Sequence, residues 1–141
     1  MKHRLFLPLI ASCFILTGVI TQPPALTTQP QQQKQAPREH RFRIGKLNNL
    51  WKVHDTKDPK NRVIRASKGD KVIWTAAGSE LYFQFPDETV FDSTEATVAD
   101  GKDLALTVSM NAKPGRYTYS VFCGKEKKFA TGDSPPTIII Q

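Results

Sequence analysis

The most reactive side chain in the part of this sequence that is predicted to fold belongs to Cys123. It ends residues 114–123, where a Pro-Gly turn leads into alternating aromatic and polar residues. A cysteine thiolate is a nucleophile and a soft copper ligand, and the thioether of Met110 and the imidazole of His54 could complete a copper-binding set. The favoured interpretation is simpler. Free cysteine is among the most buried residue types, so Cys123 is expected to be a small hydrophobic residue at a strand end.

Other residues that could do chemistry do not form an established pattern. His40 and His54 could form a metal pair, but both lie in segments that alternate with Lys and Arg, so they are expected to face solvent. Four acidic residues could surround calcium, although their spacing fits no calcium loop: Asp92, Glu95, Asp100 and Asp103. The sequence contains no Gly-x-Ser-x-Gly, Cys-x-x-Cys, His-Glu-x-x-His or phosphate-binding glycine motif. No enzymatic activity and no cofactor are therefore predicted.

The charge distribution predicts a basic surface. The chain has 20 Lys and Arg residues against 13 Asp and Glu, a net charge of +7, and the basic residues concentrate in 38–71 and 113–128. Segregated charge of this kind can steer an anionic partner to one side of a molecule. The predicted surface consists of Arg41, Arg43, Lys52, Lys60, Arg62, Arg65, Lys125, Lys127 and Lys128.

The first 37 residues are predicted to lie outside the folded domain. Lys2 and Arg4 precede an apolar run, residues 5–20, which is short for a membrane span and typical of a secretory signal. A cleaved signal within residues 1–21 is favoured; an uncleaved anchor that tethers the protein through residues 5–20, or a lipid attached to Cys13, are the alternatives. Residues 22–37 are rich in Gln, Pro and Thr and are predicted to be a disordered linker. Each alternative places the domain outside the cytoplasm, in the periplasm or secreted.

Residues 38–141 show the period-two pattern of β-strands and no helical stripe. The turns between them predict an all-β, antiparallel sandwich of about seven or eight strands. One predicted strand places Leu104, Leu106, Val108 and Met110 on its inner face. The closing strand, 137–140, carries three consecutive isoleucines. If it lay at an edge it could pair with another chain, as in an accessory subunit.

Several motifs carry a family resemblance over most of residues 60–141. They are Gly69-Asp70, Val72 with Trp74, Leu104-x-Leu106-x-Val108, and Pro114-Gly115-x-Tyr117-x-Tyr119. This pattern resembles the cupredoxins of the plastocyanin and azurin type, which implies a Greek-key β-sandwich. In copper-binding members a histidine lies near the strand that resembles residues 81–85, and a Cys, a His and usually a Met follow the Pro-Gly-x-Tyr motif.

The copper-binding part of the resemblance is missing. Val121 stands where the closest plastocyanin-like spacing has cysteine, and Cys123 comes two residues later. Residues 79–85 contain no His, and residues 124–129 contain neither His nor Met. The sequence therefore predicts a copper-free, cupredoxin-like binding module, with an atypical copper or electron-transfer protein using Cys123 as the alternative. Its expected partner is a protein or an anionic surface such as lipid headgroups or polysaccharide; nucleic acid fits less well because no recognition motif is present.

Overall fold

The strands of this domain are short and follow one another along the whole described chain. A computed structural model describes residues 36–130 and 135–141, which all belong to one compact unit. Apart from the 3-10 turn Glu88–Val90, the regular elements are eleven strands: β1 (Glu39–Leu47), β2 (Leu50–Asp55), β3 (Val63–Ala66), β4 (Lys71–Ala76), β5 (Leu81–Gln84), β6 (Glu95–Val98), β7 (Asp103–Thr107), β8 (Gly115–Thr118), β9 (Ser120–Cys123), β10 (Lys128–Phe129) and β11 (Thr137–Ile140). The predicted all-β sandwich is confirmed.

The strands form three sheets. Sheet 1 has the order β2-β1-β4-β7, sheet 2 the order β10-β9-β5-β6, and sheet 3 the order β3-β11-β8. Most neighbours are antiparallel, but β1 pairs with β4 and β3 with β11 in parallel.

Within residues 36–130 and 135–141, no helix has the length and apolar character of a membrane span. The predicted signal or anchor lies outside the described residues, as does all of the predicted linker but Ala36 and Pro37.

Sheet 1 begins with a tight hairpin that fixes which side chains point outward. The turn between β1 and β2 is made by Asn48 and Asn49, whose φ angles are 51° and 62°. Two successive positive φ angles are typical of the hairpin turns that match strand twist, and Asn tolerates them well. Phe42 and Ile44 are buried, and Ile44 lies opposite the buried Val53 of β2. Arg43, which lies between Phe42 and Ile44 on β1, therefore faces solvent.

Sheets 1 and 2 enclose an aromatic core centred on Trp74 of β4. The Trp74 ring lies 5.3 Å from that of Phe83 on β5, 5.6 Å from Phe91 and 5.8 Å from Tyr119. Its Nε1–H donates to the Tyr119 hydroxyl over 3.1 Å, and both residues are buried. The inner faces of the two sheets thus pack together, so their outer faces point in opposite directions.

The structure has more strands than the sequence indicated, partly because one stretch of alternating residues changes partners and partly because the short β10 forms after it. Residues 117–123 alternate without interruption, yet β8 pairs with β11 in sheet 3 and β9 pairs with β5 in sheet 2. The change occurs at Tyr119, whose backbone N–H donates to the carbonyl of Pro136. Alternation records which face is buried, and it carries no information about which strand is the neighbour.

Two details of the sequence interpretation are wrong. Met110 is 63% exposed and is not on an inner face, because β7 ends at Thr107 and the chain then turns. The buried residues between β7 and β8 are Val108, Ser109 and Ala112. The isoleucine strand β11 is also not an edge within its sheet, since it pairs with β3 on one side and β8 on the other. The proposed pairing of this strand with another chain therefore has no free edge to use.

Candidate functional site

The outer face of sheet 1 collects several basic side chains. Arg41 and Arg43 alternate with the buried residues of β1 and are exposed. In the antiparallel pairing with β2, Arg43 lies opposite His54, and Gly45 lies opposite Lys52. Arg43 and Lys52 are thus diagonal neighbours, a relation that separates Cα atoms by about 7–8 Å. The strands bring both cations to one surface.

The cations of this face differ in whether they already form ion pairs within the chain. Arg41 pairs with Glu39 over 3.1 Å and reaches Asp103 at 3.8 Å. The side chains of Arg43 and Lys52 form no ion pair or hydrogen bond with the described part of the chain. Their charges therefore remain available to a partner.

An open cleft of about 630 Å³ adjoins Arg43 at the end of β1. Its lining includes His54, Thr75, Gly45 and Gly78. Gly45 is needed for the close approach of the neighbouring segment, because a Cβ there would lie 3.2 Å from the Cβ of Ala77. The carboxylate of Asp100 also lines the cleft, where its Oδ1 accepts a hydrogen bond from the Gly78 amide over 2.7 Å.

The surroundings of His54 disfavour its protonated form. Burial has the largest effect and lowers its pKa, the Lys52 backbone opposes this, and the positive charges of Arg43 and Arg62 lower the pKa further against a small opposing effect of Asp55. Its Nδ1 is buried and has no partner of good hydrogen-bond geometry among the described residues. The prediction that His54 is a simple exposed histidine is therefore wrong: it is half-buried beside two cations, an environment that repels a metal cation.

The remaining predicted cations occupy three other places. Lys60 and Arg62 follow β2 in the loop to β3, while Arg65 lies on the exposed side of β3 in sheet 3. The third group is in and after the β9–β10 turn: Lys125, Lys127 and Lys128. The structure thus distributes the nine predicted residues over sheet 1 with its following loop, sheet 3, and the β9–β10 turn.

Glu126 fastens the β9–β10 turn to sheet 1. Its carboxylate accepts a hydrogen bond from Nε1 of Trp51 over 3.1 Å and forms an ion pair with Lys46. These contacts, that of Lys46 first, lower the pKa of Glu126. The neighbouring lysines are consequently carried on a turn that is tied to the β1–β2 hairpin.

Cys123 is fully buried on β9, where it lies opposite Leu81 of β5. Burial raises its pKa to about 11, and the negative charge of Glu126 acts in the same direction. The thiolate is the form that attacks electrophiles and binds metals, and it is disfavoured here. The expectation that Cys123 is a buried hydrophobic residue agrees with this environment.

We expect native Cys123 to be inert to thiol reagents. In a Cys13→Ser background, labelling with a maleimide at pH 8 should be at least about 100-fold slower than in the chain unfolded with guanidinium, because a pKa near 11 leaves little thiolate and burial blocks access. Mass spectrometry over time measures the rate. Rapid labelling under native conditions would contradict the burial of this side chain.

The other metal candidates do not meet at one place. Met110 follows β7 and has its sulfur near Gly69, in the turn before β4, whereas Leu81, the neighbour of Cys123, follows the turn after β4. Six residues of β4, roughly 20 Å of strand, separate these two ends. Nowhere in residues 36–130 or 135–141 do three His, Cys, Asp or Glu side chains group as metal ligands would, and this includes the four acidic residues considered for calcium.

Two features were missed by the sequence interpretation. His40 was expected to be a plain surface residue, but its Nε2 lies 3.0 Å from Oδ2 of the buried Asp70. Because the two residues are 30 positions apart in the sequence, no local sequence pattern indicates this contact. The second feature is an exposed row of aromatic rings on sheet 2, formed by Tyr82, Phe122 and Phe129. The outward position of Tyr82 was visible from alternation, and Phe122 alternates in the same way with Val121 and Cys123.

Comparison with known proteins finds no sequence match and several solved structures of low similarity. No protein-family model matches the sequence, and no curated protein matches it. Similar solved structures are variants of amicyanin, which is a cupredoxin. A reduced Cu(I) form at pH 4 has 11% identity and a TM-score of 0.44 over 78% of this chain and 87% of amicyanin. A second Cu(I) variant has 12% identity and a TM-score of 0.45 over 77% and 87% of the two chains. The all-β sandwich class rests on the strands and their pairing.

Proposed function

We propose that this protein is a copper-free, cupredoxin-like binding module that works outside the cytoplasm and holds anionic groups on the outer face of sheet 1. The observation that carries the proposal is the pair Arg43, which is exposed, and Lys52, which is half-buried: these two cations share one face and have no ion pair in the described part of the chain. A guanidinium can grip a phosphate, sulfate or carboxylate with two parallel hydrogen bonds, and a lysine adds a mobile point charge.

The surroundings of these two residues support the same chemistry. Arg41 lies on the same side of β1, and Arg62 contributes positive potential at His54. The adjoining cleft gives room for an acidic group beside Arg43, and Thr75 is among its lining residues. The Thr75 hydroxyl already donates to Asp103 over 2.7 Å, so the attraction depends mainly on charge. Attraction of this type guides association and weakens as salt rises.

The copper-free part of the proposal is supported by the donors that are present. Cys123 is buried with a raised pKa, and the Nε2 of His40 is engaged by Asp70. His54 lies beside arginines on the outer face of a different sheet from Cys123. Two imidazoles and a thiolate in one plane are the set that blue copper requires, and this arrangement does not fit it. The extracytoplasmic location is supported by the basic start and apolar run of residues 1–20.

Reversing the two available charges should weaken binding to anionic surfaces. We expect the Arg43→Glu/Lys52→Glu variant to bind phosphatidylglycerol vesicles at least about 30-fold more weakly, since each cation near such a surface contributes about 1 kcal/mol. Vesicle co-sedimentation at low salt measures this, and heparin affinity chromatography tests an acidic polysaccharide as the alternative source of anionic groups. Doubling the salt concentration should weaken binding of the unaltered protein as well.

The matched control is Lys113→Glu/Arg116→Glu, which changes the net charge equally at two exposed residues away from sheet 1. This control should retain most of the affinity. Equal losses in the two variants would show that net charge alone acts, and the site on sheet 1 would be rejected. Binding of neither vesicles nor heparin by the unaltered protein at low salt would reject the function itself.

A further inference from the structure

The outer face of sheet 2 carries an exposed aromatic row that the proposed function does not use. Tyr82 of β5, Phe122 of β9 and Phe129 of β10 occupy paired positions on three adjacent strands. The rings of Tyr82 and Phe122 are 6.3 Å apart, and those of Phe122 and Phe129 are 5.3 Å apart. Tyr82 is 41% exposed and Phe129 is 56% exposed, while Phe122 between them is half-buried. Such residues are usually buried, so a row of them in water indicates a binding surface.

The register of the sheet holds this row in place. Each ring projects from a backbone-paired position, and the rings contact one another at angles of 52° and 69°. Together with Gln84 and Ser120 they line a shallow groove of about 230 Å³. Gln84 lies opposite Ser120, and neither side chain makes a hydrogen bond to the described residues. The groove therefore offers apolar ring faces next to an amide and a hydroxyl that are free to bind.

Size and charge restrict the occupant of the groove. A stable protein interface needs about 20–30 residues on each side, far more than this row provides. Charged groups of both signs lie beside the row: the Glu80 carboxylate is close enough to raise the pKa of Tyr82, Glu95 lies opposite Gln84, and the exposed Lys128 precedes Phe129 on β10. In contrast to the basic face of sheet 1, this mixture of charges gives no strong attraction for anionic lipids or acidic polysaccharides.

We propose that the aromatic row Tyr82–Phe122–Phe129 binds a neutral oligosaccharide whose pyranose rings have equatorial hydroxyls. Such sugars present apolar C–H faces that stack on aromatic side chains, and hydroxyl edges that pair with Gln84, Ser120 and the Glu80 carboxylate. Neighbouring rings are separated by about one strand spacing, which is comparable with the length of one pyranose unit. Amphipathic ligands of this type are recognised by apolar walls with a few placed polar groups.

The test uses the full chain with cellohexaose and laminarihexaose as probes at millimolar concentration. In ¹H–¹⁵N spectra we expect shifts at Tyr82, Gln84, Phe122 and Phe129, and none at Arg43. Tyr82→Ala and Phe129→Ala should each weaken binding about tenfold, the effect of losing the stacking area of one ring. Leu50→Ala is the matched control, since it removes an apolar side chain that is 53% exposed on sheet 1.

The results of this test distinguish the aromatic row from the basic face of sheet 1. The charge-reversed Arg43→Glu/Lys52→Glu variant should bind the two sugars as well as the unaltered protein does. Absence of shifts with both probes would overturn the proposal, as would equal affinity in the Tyr82→Ala, Phe129→Ala and Leu50→Ala variants. Sedimentation that shows a dimer, dissociated by Phe129→Ala without any sugar binding, would reassign the row to self-association and overturn it as well.

Discussion

The Trp74→Ala variant is expected to lose about 3–5 kcal/mol of unfolding free energy, the range measured for large aromatic residues removed from packed cores. Trp74 is completely buried and joins sheet 1 to sheet 2 through Phe83, Phe85 and Tyr119. Alanine would leave a cavity and would also leave the buried Tyr119 hydroxyl without its donor. Because a domain of this size is stable by only about 5–15 kcal/mol, this one change could remove most of the stability.

Urea denaturation followed by far-ultraviolet circular dichroism measures this loss. The unfolding free energy of Trp74→Phe should fall between those of the unaltered protein and Trp74→Ala, since phenylalanine keeps one aromatic ring and leaves a smaller cavity, although it also loses the hydrogen bond to Tyr119. Leu50→Ala, at an exposed position, should change the unfolding free energy by less than about 0.5 kcal/mol. If Trp74→Ala lost as little unfolding free energy as Leu50→Ala, the aromatic cluster would not join the two sheets as described.

Replacing Asp70 with alanine should cost about 3 kcal/mol, because it leaves several donors unpaired in a buried place. The carboxylate accepts hydrogen bonds from the backbone amides of Arg38 and Ser67, over 2.9 and 2.8 Å, and from Nε2 of His40. It thereby connects the chain entering β1 to the turn that precedes β4. We expect proteolysis near Arg38 to be faster in Asp70→Ala. Asp87→Ala is the control, since Asp87 also accepts from a backbone amide but is less buried than Asp70, so its loss should cost less than about 1 kcal/mol.

Asp70 also makes stability depend on pH. Burial would raise its pKa, but the hydrogen bonds from Arg38, His40 and Ser67 outweigh burial and hold the pKa below 3.8. A carboxyl with a lowered pKa in the folded state contributes stability above its unfolded pKa and loses that contribution as pH falls through the folded pKa. The unaltered protein should therefore lose more stability than Asp70→Ala between pH 5 and strongly acidic solution. If the unaltered protein and Asp70→Ala lost the same stability as the pH fell, the acid sensitivity would be due to other carboxylates.

Alternation in the sequence was sufficient for much of the fold because one face of most strands is buried. It placed Phe42, Trp74 and Phe83 inside and Arg43 and Tyr82 outside, as the structure does. The candidate basic face followed from the same rule, since β1 and β2 form a hairpin whose two strands share faces.

What the sequence could not provide depends on neighbours that are distant in the chain. The parallel pairing of β1 with β4 and the change of sheet at Tyr119 leave the alternation intact, so they have no local signature. Met110 continued an apolar pattern past the end of its strand, where period-two reasoning no longer applies. The pair His40–Asp70 and the aromatic row exist only because separate strands lie side by side.

The central position of β11 has a consequence for the order of events in folding. β3 and β8 both hydrogen-bond to β11 and not to each other, so neither can complete its sheet until residues near the end of the described chain have arrived. Closing the long loop from β3 to β11 costs entropy before any contact compensates for it. Sheet 3 is therefore expected to assemble late, and refolding monitored by hydrogen exchange should protect the amides of β1 and β2 before those of β3.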